Sequence, residues 1–199
     1  GVGGLLECVS SPSRLGEKDG IRPKIIFMAE HQEMYDFLKK AFPEGSVVIN
    51  FDAHSDMGLI DGKPLADWNW VSYARKDQLI SEYLWVPNVI YGAGYFMYYL
   101  LGQDAQKMPL NTQLRFMTSL PVVVTIDLDY LISNQIRLPT ERQVYADARD
   151  IVRILGRNNI IARIIPVAIS RAYIFESLED VACDALKEAF INNAYYASS

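Results

Sequence analysis

Residues 47–57, VVINFDAHSDM, lead from an apolar run directly into three ionisable side chains. The β-branched and apolar residues of VVINF predict a buried strand. Asp52, His54 and Asp56 follow at a spacing of two residues. If the chain stays extended beyond the strand, this alternation sends all three side chains to the same side. Carboxylate and imidazole groups are both metal ligands, so the stretch predicts a metal site at the end of a strand.

Two further apolar runs end in the same kinds of residue. Residues 24–31, KIIFMAEH, end in Glu30 and His31, and the chain has only two histidines. Residues 122–131, VVVTIDLDYL, contain Asp127 and Asp129. Both histidines therefore follow predicted strands and lie beside carboxylates, which indicates one shared site if these strand ends meet.

Strands and helices are predicted to alternate along the chain. Strands are expected at residues 24–29, 46–51, 121–126 and 160–169, with Pro166 at an edge or a bulge of the last one. Helices are expected at residues 32–42, 67–75, 140–155 and 177–192, with Asp67 as an N-cap. Residues 79–85 are ambiguous, residues 86–90 fit a short strand, and residues 91–101 fit a helix or a buried loop.

This alternation predicts an α/β fold, a three-layer α/β/α arrangement around a mainly parallel sheet. Ligands in such folds bind beyond the carboxyl ends of the strands, where all three clusters fall. The length of 199 residues fits a single domain over residues 1–199. Residues 1–22 have little periodicity and are expected to form an arm or a loop.

Composition excludes several classes of function. The net charge of −5 and the lack of any basic cluster argue against a nucleic-acid partner. Cys8 and Cys183 lie far apart, so neither a disulfide framework nor a thiolate zinc site is indicated. No run reaches the roughly 20 apolar residues that span a membrane, and no signal peptide is visible. We therefore expect a cytoplasmic protein without a membrane partner.

The combined clusters offer four carboxylates and two imidazoles, or five carboxylates if Glu30 is counted. Buried carboxylates repel one another unless cations compensate them, and two divalent ions would balance the charge. Oxygen and imidazole ligands without thiolate suit Mn²⁺, and also Zn²⁺, Fe²⁺ or Co²⁺. Taken singly, each motif has a structural alternative, since acidic residues after strands often cap the next helix. The conjunction of all three favours the metal site.

The stretches NFDAHSD and TIDLD resemble the D-A-H-x-D and S-x-D-x-D motifs of the arginase–agmatinase–deacetylase superfamily. The aspartate at position 56 resembles the dimanganese ureohydrolases more than the one-zinc deacetylases. The resemblance implies two Mn²⁺ ions, with Asp52 and Asp127 shared between them. It implies that His31 and Asp56 complete one metal site, and that His54 and Asp129 complete the other.

The departures from arginases are specific. MAEH stands where arginases carry G-G-D-H, TIDLDYLIS lacks the following D-P, and the distal histidine of that family has no counterpart. The NWV and LWVP stretches are similar to a compact arginase-like family that includes the peptide arginases. That resemblance implies conversion of arginine to ornithine in a precursor peptide made by the ribosome, with release of urea. The partner would then be an arginine-containing precursor peptide.

The resemblance also implies roles around the metals. Asp56 would carry a proton to the leaving amine, and Glu176, slightly preferred over Glu179, would anchor the guanidinium. The predicted substrate-binding residues are Asn69, Trp70 and Glu30, and Trp68 or Trp85 could join a peptide groove. For the tryptophans, core packing is the expected role of at least two, and the tyrosines at 91–99 fit core or a homo-oligomer interface. Alternatives are a hydrolase of a small guanidino compound or amide on the same fold, and a non-catalytic metal-binding protein.

Overall fold

A computed structural model describes residues 23–88, 106–107, 119–158, 160 and 162–192 of the chain. Its strands are β1 (Lys24–Met28), β2 (Ser46–Phe51), β3 (Ile80–Val86), β4 (Gln106–Lys107), β5 (Val122–Asp127) and β6 (Ile164–Ala168). Its helices are α1 (Glu33–Ala41), α2 (Trp70–Lys76), α3 (Asp129–Ile132), α4 (Glu141–Arg157) and α5 (Glu179–Asn192), with 3₁₀ turns at Arg171–Tyr173 and Glu176–Leu178. The predicted arm at 1–22 and the segment 91–101 lie outside these residues.

The strands form one sheet in the order β1-β6-β5-β2-β3-β4. Every strand pair in it is parallel. Parallel strands require crossover connections, and described helices lie between β1 and β2, between β2 and β3 and between β5 and β6. The predicted α/β fold with a parallel sheet is therefore confirmed.

Helices cover both faces of the sheet. On one face, α4 and α5 pack against the alternate residues Val47, Ile49 and Phe51 of β2. On the other face, α1 and α2 pack against Val48 of the same strand and Val123 of β5. All six residues of β2 and of β5 are buried, because each face of these central strands meets a helical layer.

The sheet register brings the predicted clusters to one edge. Phe27, Val167, Ile126, Phe51 and Val86 lie in a single row across five strands. The residues that follow this row point beyond the sheet at its carboxyl edge. In the sheet, β3 lies beside β2 and β6 lies beside β5, so the chain leaves the neighbouring strands β2 and β5 in opposite directions. Such a switch point opens a crevice for ligands.

The structure corrects several details of the predicted elements. The ambiguous segment 79–85 belongs to β3, and the described residues after Val86 do not extend the strand. Asp67 does not cap α2, because the helix begins at Trp70 with Asn69 at the N-cap position. Pro166 lies inside β6, between β1 and β5, and not at an edge. Thr140 caps α4 by accepting a hydrogen bond from the Gln143 N–H.

Among the described residues, no helix has both the length and the apolar character needed to cross a membrane.

Candidate metal centre

His31 is the most enclosed member of the centre. It lies between β1 and α1, with its side chain fully buried. Its Nδ1 atom is 3.0 Å from Asp52 Oδ2, 2.9 Å from Asp56 Oδ2 and 3.3 Å from Asp127 Oδ2. The turn after β1 thus brings an imidazole nitrogen to the carboxylates that follow β2 and β5. We call His31, Asp52 and Asp56 the inner group.

Asp52 and Asp127 each divide their two oxygens between the backbone and the centre. Asp52 Oδ1 accepts the N–H of His54 at 2.8 Å, and Asp127 Oδ1 accepts the N–H of Asp129 at 2.9 Å. These are turn-stabilising contacts of the kind that aspartates often make after strands. The Oδ2 atoms of both residues remain directed toward His31. The structural role that aspartates often have after strands is therefore present in both residues. Only one oxygen serves the backbone, and this contact orients the second oxygen toward His31.

Asp56 is held in place by an unusual backbone and by a tryptophan. Its φ angle is 55°, in the left-handed region that non-glycine residues seldom adopt. Trp70 Nε1 donates a 2.7 Å hydrogen bond to Asp56 Oδ2, and the Trp70 ring lies 5.0 Å from the His31 ring. The Asp56 carbonyl also accepts the N–H of Val71. Strain of this kind persists where surrounding contacts over-determine it, as they do here.

Asp52, His54 and Asp129 form a second cluster, which we call the outer group. His54 Nδ1 lies 2.6 Å from Asp129 Oδ2 and 3.7 Å from Asp52 Oδ1. Its Nε2 lies 2.8 Å from Gln135 Oε1, on the solvent side. The His54 side chain is 16% exposed, whereas that of His31 is completely covered. The two groups share Asp52, so they adjoin one another.

The extended geometry predicted for residues 52–56 is wrong in detail. The chain bends at Ala53 and His54, and Asp56 is left-handed. The side chains still converge, because separate contacts orient each one. Ala53 N donates to Asp129 Oδ1 at 3.0 Å, which fixes this bend against the end of β5.

Burial and charge shift the pKa values of the cluster strongly. Burial alone would lower the pKa of His31, but Asp127, Asp52 and Asp56 outweigh it and raise that pKa well above its usual range. Burial likewise opposes protonation of His54, and Asp129 and Asp52 again raise the pKa. Hydrogen bonds from the two histidines overcome burial at Asp52 and hold its pKa well below normal.

The remaining acids of the cluster respond in the opposite sense. Burial, followed by the charge of Asp52, raises the pKa of Asp56. Burial, followed by the charge of Asp127, raises the pKa of Asp129. Without a metal, the two histidines and these two acids therefore bind protons more readily than the free side chains do.

The donor set fits a metal ion. Among the described residues, His31 Nδ1 is buried without an aligned hydrogen-bond partner, although three carboxylate oxygens lie within 3.3 Å of it. An unsatisfied buried nitrogen carries a free-energy cost, which a cation between nitrogen and oxygens would remove. Two imidazoles and four carboxylates are also the donors that Mn²⁺ or Zn²⁺ accept. All six predicted ligands are brought together at the switch point.

Glu30 and Tyr173 border the centre. The half-buried Glu30 shares a hydrogen bond with Asp67, which together with burial raises its pKa to about 7, and Asp127 adds to the effect. The Tyr173 ring lies 5.6 Å from the His54 ring. Burial and the charge of Asp67 raise the pKa of Tyr173, with Asp56 and Asp129 contributing. Glu30, Asp67 and Tyr173 thus lie near the ligands, and Tyr173 is close enough to Asp67 for the charge of that carboxylate to act on it.

Three further residues, Asn69, Trp70 and Glu176, were predicted to belong to the site. Asn69 is fully buried, and its side chain donates to the Pro64 carbonyl and accepts from the Ala66 N–H. Trp70 is also fully buried behind Asp56, so neither residue has a surface that a substrate could reach in this structure. Glu176 is exposed at the 3₁₀ turn before α5. No hydrogen bond or ion pair joins it to the six ligands among the described residues, so its anchoring role stays a prediction.

Of the three tryptophans, Trp70 and Trp85 are core residues, as expected for at least two of them. Trp85 Nε1 donates to the backbone carbonyl of Asp52 at 2.8 Å, so it also supports the centre. Trp68 is 42% exposed.

Several residues of the centre escaped the sequence analysis. Ser170 is buried with a φ angle of 49°, and its Oγ donates to Asp127 Oδ2 at 2.6 Å. It follows β6 by two residues, so its position at a strand end was the available signal. Gln135 and Tyr173 lie on segments without periodicity and gave no signal.

Comparisons with known proteins concern the fold. No protein-family model matches the sequence, and no curated protein matches it. Formimidoylglutamase from Bacillus subtilis subsp. subtilis str. 168 superposes with a TM-score of 0.54 at 12% identity, over 88% of this chain and 62% of that one. Arginase from Medicago truncatula gives 0.53 at 15% identity, over 88% and 61%. A hypothetical agmatinase from Burkholderia thailandensis gives 0.51 at 18% identity, over 84% and 57%.

These likenesses establish an arginase-like α/β fold for this chain. The chain spans about three fifths of the length of these proteins, since it covers 57% to 62% of them. At such low identity the fold is the only property that the comparison carries over.

Proposed function

We propose that this chain is a binuclear manganese hydrolase that converts arginine side chains in a peptide to ornithine and releases urea. One observation carries the metal part of the proposal. His31 Nδ1 is fully buried and faces three carboxylate oxygens within 3.3 Å without an aligned hydrogen bond. The reaction class is supported by the fold, which arginase and formimidoylglutamase structures share.

The two metals would be held by the inner and outer groups. His31 and Asp56 would serve one ion, His54 and Asp129 the other, and Asp52 and Asp127 would lie between them. When bound, such ions supply Lewis-acid activation of water and of the electrophile at neutral pH. Four carboxylates and two neutral imidazoles give a formal charge that two divalent ions cancel.

Asp56 is the proposed proton carrier. Water adds to the guanidinium carbon, the bond between that carbon and the side-chain nitrogen breaks, and the products are urea and ornithine. A proton from the water must reach the departing amine. Asp56 is 5% exposed, and burial and the charge of Asp52 raise the pKa of its carboxyl, so it holds a proton more readily than an exposed aspartate does. The indole of Trp70 keeps it oriented.

Glu30 is the proposed anchor for the cationic guanidinium. It precedes His31 directly, is half-buried and lies within the field of Asp127. A cation beside Glu30 and Asp67 would replace the proton that these carboxyls share, and would relieve their mutual repulsion. Asp67 is fixed there, because its Oδ1 accepts the N–H of Gln32 at 2.9 Å.

Exposed apolar side chains beside the centre support a peptide substrate. The loop that follows Asp56 presents Leu59, 74% exposed, and Trp68, 42% exposed. Gly58 N donates to the Trp68 carbonyl, so the two ends of this loop lie together. Aromatic and aliphatic side chains at the rim of a site are suited to contact a chain that extends beyond the reacting group.

The alternative activities use the same site. A small guanidino compound or an amide would need the same metals, and the titles of the superposed structures name enzymes of that kind. A non-catalytic metal site is the third candidate. Such a site would not need a ligand that is held in a strained conformation, as Asp56 of the inner group is.

The test is mass spectrometry of an arginine-containing peptide, and of free arginine and agmatine in parallel, after incubation with Mn²⁺-loaded protein. Conversion of peptidyl arginine to ornithine, with urea as coproduct, is expected. Asp56→Asn should abolish it. Asp150→Asn is the matched control, because Asp150 is a partly exposed aspartate of α4 whose carboxylate pairs with Arg153.

The outcomes separate the candidates. Conversion of agmatine or free arginine without conversion of the peptide would select the small-molecule activity. Two bound metals without conversion of any guanidino substrate would refute the guanidine assignment. Equal activity of the Asp56→Asn protein would refute the proton-carrier role.

A further inference from the structure

A buried hydroxyl lies behind the ring of His31, on the side away from the carboxylates. Thr125 Oγ1 of β5 is 3.1 Å from His31 Nε2. The same hydroxyl donates to the Pro166 carbonyl of β6 at 3.1 Å. Thr125 and His31 are both fully buried. Neither Thr125 nor Pro166 belongs to the six predicted ligands, so this chain of contacts has no role in the centre described above.

The direction of these hydrogen bonds follows from the partners. A carbonyl oxygen can only accept, so the single hydroxyl hydrogen of Thr125 goes to Pro166. The lone pairs of Oγ1 are then left for His31, whose Nε2 must be the donor. A ring that carries its hydrogen on Nε2 presents the lone pair of Nδ1 to the carboxylates of the inner group. This is the form of histidine that binds a metal through Nδ1.

The proline marks the point where the ladder between β5 and β6 begins. The pairing of β5 with β6 consists of Ile126 with Val167 and Asp127 with Ala168, so it begins only after Pro166. Proline has no N–H to offer to a sheet ladder. Beside this break in the ladder, the Thr125 side chain supplies the contact between the strands. The interior position of Pro166 thereby gains a function that neither an edge nor a bulge would give it.

We infer that Thr125 is a positioning residue that fixes the His31 ring with Nδ1 directed into the inner group, through the relay from Nε2 to Oγ1 to the Pro166 carbonyl. This inference rests on the proposed metal centre. Valine has nearly the shape of threonine but cannot accept a hydrogen bond, so it would leave the Nε2–H of His31 buried and unpaired. Serine keeps the hydroxyl and should keep the relay.

The experiment is a Mn²⁺ titration followed by calorimetry and by electron paramagnetic resonance, without substrate. Wild-type protein is compared with Thr125→Val, Thr125→Ser and Ser46→Ala. Ser46 is the matched control, because it is a buried hydroxyl that donates to the Leu79 carbonyl at 2.8 Å. It lies at the start of β2, six residues before Asp52, or ~20 Å along an extended chain.

Thr125→Val should weaken the inner Mn²⁺ by about 10- to 100-fold, the usual range for partners that orient a ligand. The affinity for the outer Mn²⁺ should stay near the wild-type value in every variant. The affinity for the inner Mn²⁺ should stay near it in Thr125→Ser and in Ser46→Ala. A second measurement uses the Zn²⁺-loaded proteins. Long-range ¹H–¹⁵N spectra should show His31 with a protected Nε2–H and a metal-bound Nδ1, and this protection should be lost in Thr125→Val alone.

The inference is overturned if Thr125→Val binds the inner Mn²⁺ as wild type does, or if Ser46→Ala weakens it equally. It is also overturned if Thr125→Ser fails to restore binding. Should Thr125→Val not fold, Thr125→Ala provides the same comparison with less bulk. A wild-type protein that binds two metals but hydrolyses no guanidino substrate refutes the proposed reaction and leaves this inference standing, whereas one that takes up no metal refutes both.

Discussion

The inner and outer groups share Asp52 and differ in nearly everything else. His31 is completely covered and is surrounded by Asp52, Asp56, Asp127 and the Trp70 ring. His54 is 16% exposed and contacts Gln135 on its solvent side. Inner ligands are thus fixed by core packing and by a relay through the sheet, whereas the outer ligand can adjust. The inner group is therefore the more rigid of the two, and His54 of the outer group lies closer to solvent.

The largest effect is expected where the two groups meet. Asp52→Ala should remove both ions and lower activity by more than about 100-fold, which exceeds the loss usual for residues that only orient ligands. The metal content per chain, measured by atomic emission after desalting, should fall from two to below one. Retention of one tightly bound ion would show that the two groups bind metal independently, and would contradict a shared role for Asp52.

Replacing each histidine separately tests the difference in burial between His31 and His54. His31→Ala leaves buried carboxylates without their partner and should lower the free energy of unfolding of the metal-free protein by about 3–5 kcal/mol. His54→Ala removes a partly exposed partner and should cost about 1–2 kcal/mol. Urea unfolding monitored by circular dichroism measures both. Equal losses would contradict the assignment of a rigid inner and an adaptable outer group.

The stability of the metal-free protein should depend on pH in a specific direction. His31 and His54 have folded-state pKa values raised above the unfolded value of about 6.5, so their stabilisation is complete below that pH and declines as pH rises toward the raised values. The raised pKa values of Asp56 and Asp129 act in the same sense, and Asp52 acts oppositely at acidic pH.

The melting temperature of the metal-free protein should therefore fall as the pH rises from about 6.5 to about 9. Mn²⁺ should remove most of this decline, because a bound cation replaces the protons. Differential scanning calorimetry with and without Mn²⁺ distinguishes the two forms. A metal-free protein that grows more stable with rising pH would show that the carboxylates and histidines are not protonated as described.

The smallest effect is expected at the rim. Glu30→Gln should raise KM for the guanidino substrate by roughly 10-fold, the value of a hydrogen bond to a charged group, with a smaller change in kcat. For Glu176→Gln and for the surface control Glu44→Gln, KM should stay within about 2-fold of the wild-type value. Both carboxylates are exposed, so each substitution removes only a charge that solvent screens. A larger effect at Glu176 than at Glu30 would identify Glu176 as the anchor, as the sequence predicts.

Much of this architecture could be predicted from local patterns. The apolar runs of β1, β2 and β5 and the amphipathic residues of α4 are recognisable without knowledge of any partner. The six ligand candidates could also be predicted, because both histidines of the chain and two closely spaced pairs of aspartates follow apolar runs. Residues 79–85 were ambiguous, since a short apolar run fits a strand or a buried helix equally well.

The sequence by itself therefore determined most of the described elements, the α/β fold with its parallel sheet and the residue types of the centre. Only the tertiary structure decided which oxygen of each aspartate faces His31, that Asp56 adopts a left-handed conformation, and that Glu30 lies beside Asp67. It also decided that Thr125 contacts His31, from which it is separated by 94 residues. The physical reason is that propensity and periodicity act over a few residues, whereas the strand order brings remote segments together, and no local pattern records their contacts.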